Sequence, residues 1–293
     1  MNTILSKIGN TPLIRLCNIE NETQAEIYAK LEYFNPFGSV KDRVAKQIIE
    51  DAEERGLIIK GSRIVEATSG NTGIALAAIS ALKGYGCTII MPENSSSIRK
   101  KLIRLYGAEL ILTASEGGMA ESVRYAKELS ATNGVFYADQ FSNRSSVDTH
   151  RNNTAPEIYT QLSGDIDVVI AGIGSGGTIT GIAEFFKGLK CKTRVVGVLP
   201  KKAPHCITGI GAGFDPKILD YSIIDEIVSV HDDEACKGCS ELLEKEGHTL
   251  VLSRSGVSYK LEDYKEKMFD LRRLKDRMPS KDDAFGGVKL PGA

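Results

Sequence analysis

Short apolar runs of strand length alternate along the chain with segments whose apolar residues recur at helical spacing. The strand-like runs are residues 26–32, 63–67, 87–91, 109–113, 135–139, 166–171, 193–199, 226–230 and 249–253. Helical patterns separate most of them, including 41–56, 97–106, 117–131 and 154–162. This alternation is typical of parallel sheets with helices on both faces. Because nine strands would make one unusually wide sheet, we predict an α/β fold with two sheets.

Two glycine-containing turns of similar design connect predicted strands to predicted helices. The first, TSGNT at 68–72, joins the strand 63–67 to a helical segment that ends near residue 82. The second, GSGGT at 174–178, joins the buried run 167–172 to a helical segment at 179–187. Backbone N–H groups and the positive end of a helix dipole converge at such turns, so each is suited to an anion. We interpret the first as a carboxylate site and the second as a phosphate site, facing one cleft.

Charge and hydropathy exclude several classes of protein. The 37 basic and 38 acidic side chains among 293 residues give no electrostatic basis for binding nucleic acid or an anionic membrane. No apolar run approaches the roughly 18 residues that span a bilayer. The first residues lack the apolar stretch of a signal peptide, so we expect a cytoplasmic protein. Its six cysteines are then expected to be free thiols.

Cys236 and Cys239 form a C-x-x-C pair, with His231 five residues upstream. Such a pattern occurs in metal sites, but the segment 232–247 has a helical pattern and no second pair lies nearby to complete four ligands. We therefore predict no metal site and interpret both cysteines as ordinary helix positions.

Six motifs occur together in a characteristic order. They are IGNTPLIR at 8–15, NPFGSVKDR at 35–43, TSGNTG at 68–73, QFSN at 140–143, GSGGT at 174–178 and GIGAGF at 209–214. In this combination the chain resembles the cysteine synthases (O-acetylserine sulfhydrylases), which are fold-type II pyridoxal-phosphate enzymes. The similarity extends from Ile4 to Phe214 and, more weakly, to Gly256.

The resemblance implies a role for each matching residue. Lys41 would bind pyridoxal 5'-phosphate covalently and then transfer the Cα proton of the substrate, and Asn71 would hydrogen-bond the ring hydroxyl oxygen of the cofactor. The remaining groups would be the α-carboxylate ligands Thr68, Ser69, Thr72 and Gln140, the phosphate ligands Gly174, Ser175, Gly176, Gly177 and Thr178, and Ser253 at the pyridine nitrogen.

Each feature also has a plainer interpretation when it is taken alone. An isolated lysine is usually a surface residue, and Ser, Thr and Asn are good helix caps. A glycine-rich turn after a strand can bind a dinucleotide, although no G-x-G-x-x-G is followed here by an acidic ribose partner. We interpret His150 as a structural histidine at a helix start, with a cleft residue as the alternative.

The implied reaction is β-replacement on an activated serine, in which O-acetylserine and sulfide give cysteine and acetate. The absence of arginine from 209–214 favours O-acetylserine over a phosphorylated serine. The alternatives are a cysteine or serine β-lyase, a cystathionine β-synthase-like condensation, a nicotinamide oxidoreductase and a non-catalytic paralogue. Family members are commonly homodimers, and some bind a serine acetyltransferase, so the resemblance implies both partners.

The resemblance also implies two domains in a tryptophan synthase β-like arrangement. We predict a smaller mobile domain at 36–146 that carries the carboxylate turn, a larger domain formed by 1–35 and 147–278 that carries the phosphate turn, and an irregular tail at 279–293. The C-terminal third departs from the family, because VLSRSG at 251–256 replaces its Gly-Ile-Ser-Ser-Gly turn. Counting six residues on from Gly247 assigns Ser253 to the serine of that turn.

Overall fold

The computed structural model describes residues 3–20, 25–207 and 209–246. The predicted strand at 249–253, with Ser253, lies outside these residues, as does the tail predicted at 279–293. The described strands are β1 (Leu13–Arg15), β2 (Tyr28–Lys30), β3 (Arg63–Ala67), β4 (Gly86–Pro92), β5 (Glu109–Thr113), β6 (Val135–Tyr137), β7 (Val168–Gly172), β8 (Arg194–Pro200) and β9 (Glu226–Val230). The α-helices are α1 (Cys17–Glu20), α2 (Lys41–Glu54), α3 (Asn71–Lys83), α4 (Ser97–Leu105), α5 (Gly118–Ser130), α6 (Ser145–Thr149), α7 (Ala155–Gln161), α8 (Gly177–Gly188) and α9 (Asp232–Glu246).

The two larger sheets are parallel, which confirms the predicted α/β architecture. One has the strand order β5-β4-β3-β6, and the other has the order β7-β8-β9. Each draws on a separate stretch of the chain, 63–137 for the first and 168–230 for the second. A short antiparallel pair, β1 with β2, forms a third sheet. The domain boundaries inferred from the sequence stay a prediction.

Helix α3 packs against the four-stranded sheet, and α2 packs against α3 with its apolar face. In α2 the buried side chains Val44, Ile48 and Ala52 recur every four residues, as one face of a helix requires. In α3 every residue from Thr72 to Ser80 is buried, so this helix lies inside the core that also contains Ile89 of β4. This packing fixes the first residues of both helices at the carboxyl end of the sheet.

Helix α8 covers the three-stranded sheet in the same way. Ile179, Ile182 and Phe186 of α8 are buried against Val169 of β7 and Val195 of β8. The start of α8 is thereby held close to the end of β7. Within the described residues, no helix has both the length and the apolar character needed to cross a bilayer.

The structure differs from the sequence-based elements in two places. The predicted strand 26–32 is shorter, and it pairs with residues 13–15, a run too short to show a strand pattern. The segment 140–154 contains α6, followed by a π-helical turn at His150–Thr154 that leads into α7. The sequence of this segment shows no helical pattern of apolar residues, because the positions that face the core are the polar residues Ser145, Ser146 and Thr149.

Candidate active site

The first glycine-containing turn lies between the end of β3 and the start of α3. Its backbone is held internally by a hydrogen bond from the Gly70 N–H to Thr68 Oγ1 at 3.1 Å. Thr72 donates its hydroxyl to Gln140 Oε1 at 2.5 Å, and Gln140 Nε2 donates to the Ala67 carbonyl at 3.1 Å. The predicted carboxylate ligands from two distant parts of the chain therefore meet at one helix N-terminus.

Glu66, on β3, fixes the position of Gln140 through a hydrogen bond to its backbone. Its fully buried carboxyl accepts the N–H groups of Ala67 at 2.9 Å and Gln140 at 3.1 Å. Desolvation is the main cause that raises the pKa of this carboxyl well above its usual value. A buried acidic group thus ties the end of β3 to the residue that completes the turn.

The second turn is built from glycines because neighbouring backbone leaves no space for side chains. A Cβ at Gly174 would lie 2.3 Å from the Gly209 carbonyl oxygen, and one at Gly177 would lie 2.5 Å from the Ser146 carbonyl oxygen. Gly176 has a φ of +87°, in the left-handed region that glycine adopts without strain. This turn opens into α8, so its N–H groups and the helix dipole point to the same place.

Lys41 is the first residue of α2, and the preceding loop holds it in place. Ser39 Oγ accepts the Lys41 backbone N–H at 3.2 Å, and Asp42 Oδ2 accepts the Phe37 N–H at 2.6 Å. Atoms packed around the half-buried side chain desolvate its ammonium group, which lowers the pKa of Lys41 from 10.5 to about 8. Among the residues that the structure describes, its ε-amino group has no hydrogen-bond or ion-pair partner.

The two turns and Lys41 line a single cleft. It contains about 910 Å³ of space not occupied by atoms, part of it open to solvent. The predicted site residues that line it are Lys41, Thr68, Ser69, Asn71, Thr72, Gln140, Gly174, Ser175, Gly176 and Thr178. Gly177 lies behind the wall, against Ser146, and Ser253 lies outside the described residues. The structure thus brings ten of the predicted residues together, including both turns.

The cleft is electropositive. Lys41 and Arg99 are the charged side chains among its described lining residues, which include no carboxylate. Arg99 Nη1 donates to the Ser69 carbonyl at 3.4 Å, so the guanidinium lies beside the carboxylate turn. With two helix N-termini facing the same space, this composition suits ligands that carry more than one negative group.

Nine lining residues were not among the predicted site residues: Val40, Arg99, Met119, Phe141, Gly172 and the four residues 209–212, which belong to the GIGAGF motif. The signal for two of them lies in the sheet order. Arg99 and Met119 follow β4 and β5, whose carboxyl ends lie at the same sheet edge as Thr68, and ligands bind at that edge in parallel sheets.

A buried ion-pair network supports the helix that carries Lys41. Arg43 is buried and donates to Glu32 Oε2 at 2.7 Å and to Glu157 Oε1 at 2.6 Å. Desolvation alone would raise the pKa of the Glu157 carboxyl, but hydrogen bonds and the positive charge of Arg43 lower it to about 2. The network ties α2 to α7 and to the segment that follows β2.

His150 is fully buried in the π-helical turn and makes two side-chain contacts. Its Nδ1 lies 2.9 Å from Thr154 Oγ1, and its Nε2 lies 3.2 Å from Oγ1 of Thr178, which lines the cleft. Desolvation, with the positive charges of Lys41 and Arg43, lowers the pKa of His150 well below 6.5. His150 is therefore a neutral residue behind the cleft wall.

The cysteine pair falls on a helix. Cys236 and Cys239 both lie in α9, where Cys236 is exposed and Cys239 packs against Ile207 and Ile210. In the described part of the chain, no cluster of three or more His, Cys, Asp or Glu side chains is arranged to hold a metal ion.

Comparison with known proteins assigns the class. Residues 4–266 match the family model described as pyridoxal-phosphate dependent enzyme, which extends the recognised similarity beyond Gly256. Among solved structures, that of an O-ureido-L-serine synthase superposes with a TM-score of 0.81 at 38% identity, and the match covers 84% of this chain and 81% of that one. The chain is therefore a pyridoxal-phosphate-dependent enzyme of fold type II.

Sequence comparison with characterised proteins identifies the family within this class. The chain is 38% identical to cysteine synthase A of Escherichia coli (strain K12), over 97% of this chain and 93% of the relative. It is 43% identical to a cysteine synthase of a Flavobacterium species, over 83% of this chain and 82% of the relative. The chain belongs to the cysteine synthase family.

The residues present fit the cofactor of this family. Lys41 is a desolvated amine with no partner among the described residues, as covalent capture of an aldehyde requires. Gly174 and Gly176 let the turn at the start of α8 pack directly against Gly209 and Leu219, where a Cβ would clash, so the backbone of this turn lines the cleft. The absence of carboxylates from the described lining also removes a source of repulsion for a phosphate.

Proposed function

We propose that the protein catalyses β-replacement on an activated serine, converting O-acetylserine and sulfide to cysteine and acetate. One observation carries the proposal: the desolvated Lys41 amine lies in one cleft with two turns that each open a helix. Family membership supports the same reaction. No feature of the described site specifically favours a lyase, a cystathionine β-synthase-like activity or a non-catalytic role.

Two groups of residues would hold the two negative ends of the ligands. Thr68, Ser69, Thr72 and Gln140 bind the substrate α-carboxylate at the start of α3, while Gly174, Ser175, Gly176 and Thr178 bind the cofactor phosphate at the start of α8, with Gly177 packed behind them. Each helix dipole contributes about 0.3–2 kcal/mol, to which charge-assisted hydrogen bonds add. Asn71 binds the ring hydroxyl oxygen, and Ser253 is assigned to the pyridine nitrogen from the sequence alone.

Lys41 would move the proton. Bound pyridoxal phosphate supplies an electron sink at the substrate Cα. The neutral Lys41 Nζ takes the Cα proton, and acetate leaves from Cβ with the bonding electrons. Hydrosulfide then adds at Cβ, and Lys41 Nζ returns its proton to Cα. The positive charges of Lys41 and Arg99 favour an anionic nucleophile in this cleft.

Further parts of the proposal rest on the family resemblance. They are a homodimeric assembly, a cytoplasmic location, a serine acetyltransferase as a protein partner, and closure of the smaller domain, 36–146, over bound substrate. Light scattering of the purified protein tests the assembly, since a monomer at working concentration would contradict it.

The central test replaces Lys41 by alanine and uses Lys46→Ala as the control. Lys46 lies on the same helix outside the cleft and forms a 3.8 Å ion pair with Glu50. Lys41→Ala is expected to lose both the visible absorption of the bound cofactor and sulfide incorporation, whereas Lys46→Ala keeps both. Retained turnover in Lys41→Ala would refute the mechanism.

The same assays separate the competing activities. Purified protein is given O-acetylserine with sulfide, serine with homocysteine, or cysteine alone. Cysteine formation from the first mixture is expected to be fastest. Faster sulfide release from cysteine alone would assign a β-lyase instead.

A further inference from the structure

His150 is a buried imidazole whose two ring nitrogens both contact hydroxyl groups. Nδ1 lies 2.9 Å from Thr154 Oγ1 within the same π-helical turn, and Nε2 lies 3.2 Å from Thr178 Oγ1 on α8. The side chain is fully inaccessible to solvent, whereas Thr178 lines the cleft. The histidine therefore reaches the ligand space through one hydroxyl group.

Close packing of two backbones makes this contact. Gly177 and Gly181 lie four residues apart on one face of α8, which faces the segment from α6 to His150. A Cβ at Gly181 would lie 2.4 Å from the Val147 carbonyl oxygen and 2.7 Å from the His150 Cβ. Because both positions lack a side chain, α8 approaches closely enough for Nε2 to reach Thr178. The π-helical turn is a widened turn of the kind often found at functional sites.

The chemistry of a neutral imidazole restricts the arrangement of protons. One ring nitrogen carries a proton and donates, and the other accepts. If Nδ1 donates to Thr154, Nε2 must accept the Thr178 hydroxyl proton, and Thr178 then presents only lone pairs to the cleft. If Nε2 donates to Thr178 instead, Thr154 donates to Nδ1, and the Thr178 hydroxyl proton is free to point into the cleft.

An anion beside Thr178 selects between these two arrangements. A phosphate repels the lone pairs of the first arrangement and accepts the proton of the second. Loss of the imidazole would leave the Thr178 hydroxyl without its buried donor and free to turn away from the cleft. The orientation of one hydroxyl thus depends on a side chain that never touches the ligand.

We propose that His150 is a positioning residue, which donates from Nε2 to Thr178 Oγ1 and so directs the Thr178 hydroxyl proton at the phosphate of the cofactor. The inference rests on the proposed phosphate site at Gly174–Thr178. The proposal predicts that His150 affects cofactor binding only when both the Thr178 hydroxyl and the phosphate group of the cofactor are present.

A double-mutant cycle tests the proposal. The dissociation constant of pyridoxal phosphate is measured by equilibrium dialysis for wild type, His150→Leu, Thr178→Val and the double variant. We expect His150→Leu and Thr178→Val each to weaken binding about tenfold, and the double variant to bind no more weakly than Thr178→Val alone. Weakening by His150→Leu that is equally large in the Thr178→Val background would overturn the proposal, because it would indicate a general loss of structure.

Unphosphorylated pyridoxal is the matched ligand control. Its affinity is expected to be the same for wild type and His150→Leu, since it lacks the group that Thr178 binds. Equal weakening of pyridoxal and pyridoxal phosphate contradicts the proposal. If wild type binds neither ligand, the proposed function fails first, and the two failures are thereby distinguished.

His150→Gln covers the case in which His150→Leu does not fold. The glutamine amide offers an N–H donor near the position of Nε2, so binding is expected to recover to within about threefold of wild type. The phosphorus NMR signal of the bound phosphate is expected to match that of wild type in His150→Gln and to shift in Thr178→Val. A folded His150→Gln that binds ten times more weakly than wild type would refute the donor role.

Discussion

The lowered pKa of Lys41 makes a quantitative prediction about its reactivity. With a pKa of about 8, about 9% of the amine is neutral at pH 7, whereas an ordinary lysine at 10.4 is neutral in only about 0.04% of molecules. The difference is roughly 200-fold at the same pH. Only the neutral amine is nucleophilic, so this fraction sets the rate at which Lys41 attacks a carbonyl group.

Trace labelling with acetic anhydride measures that fraction, because the reagent itself does not titrate. The apoprotein is labelled between pH 7 and pH 10, and the modified fraction of Lys41 is determined by mass spectrometry of the peptide that contains it. Because Lys41 lines the open cleft, the reagent can reach it. Labelling is expected to rise about tenfold from pH 7 to pH 9 and then to level off.

A small lysine derivative in the same solution is the internal reference. Its labelling should rise about 100-fold from pH 7 to pH 9 and should still be rising at pH 10, as for an amine of ordinary pKa. A Lys41 profile parallel to that of the reference would refute the reasoning, since it would mean that the surrounding atoms do not desolvate the ammonium group.

Two further predictions concern the supports of the site. Desolvation is the main cause that raises the pKa of the buried Asp42 carboxyl from 3.8 to about 7, so the contribution of this group to stability falls by about 4 kcal/mol as the pH rises from about 4 to 7. In urea unfolding, Asp42→Asn should therefore be more stable than wild type at pH 8, and the difference should be much smaller at pH 5. An equal difference at both pH values would contradict this. Gly177→Ala places a Cβ 2.5 Å from the Ser146 carbonyl oxygen and should lower the free energy of unfolding by about 1–3 kcal/mol. The control, Gly188→Ala, lies on the same helix with no atom within 4 Å of the added Cβ and should not lower it. Equal costs at the two positions would refute the packing argument.

Most of the fold was predictable because its signal is local. Parallel strands buried on both faces show as continuous apolar runs, and the helices between them show a regular period, so the buried strand at 63–67 has the predicted bounds. The more exposed strand at 226–230 also has the predicted bounds. The helix predicted at 97–106 is observed at Ser97–Leu105. The strand β1 and its pairing with β2 were not predictable in this way, since the three residues of β1 carry no pattern.

The candidate site was predictable where short motifs carry it and not where tertiary packing does. Thr68 and Gly176 belong to turns that the sequence displays directly. Arg99 reaches the cleft only because β4 lies beside β3, and sequence spacing does not contain that information. His150 was interpreted as structural; its contact with Thr178 depends on how closely two helices approach, which no local pattern reports.

The bare face of α8 at positions 177 and 181 has a consequence for how this protein can vary. Since backbone touches backbone there, a side chain added at Gly177 or Gly181 cannot be accommodated by a rotamer change. The stretch 145–154 and the start of α8 therefore behave as one mechanical part, and an insertion in the first would displace the second. Homologues that diverge at one of these segments should carry a compensating change at the other.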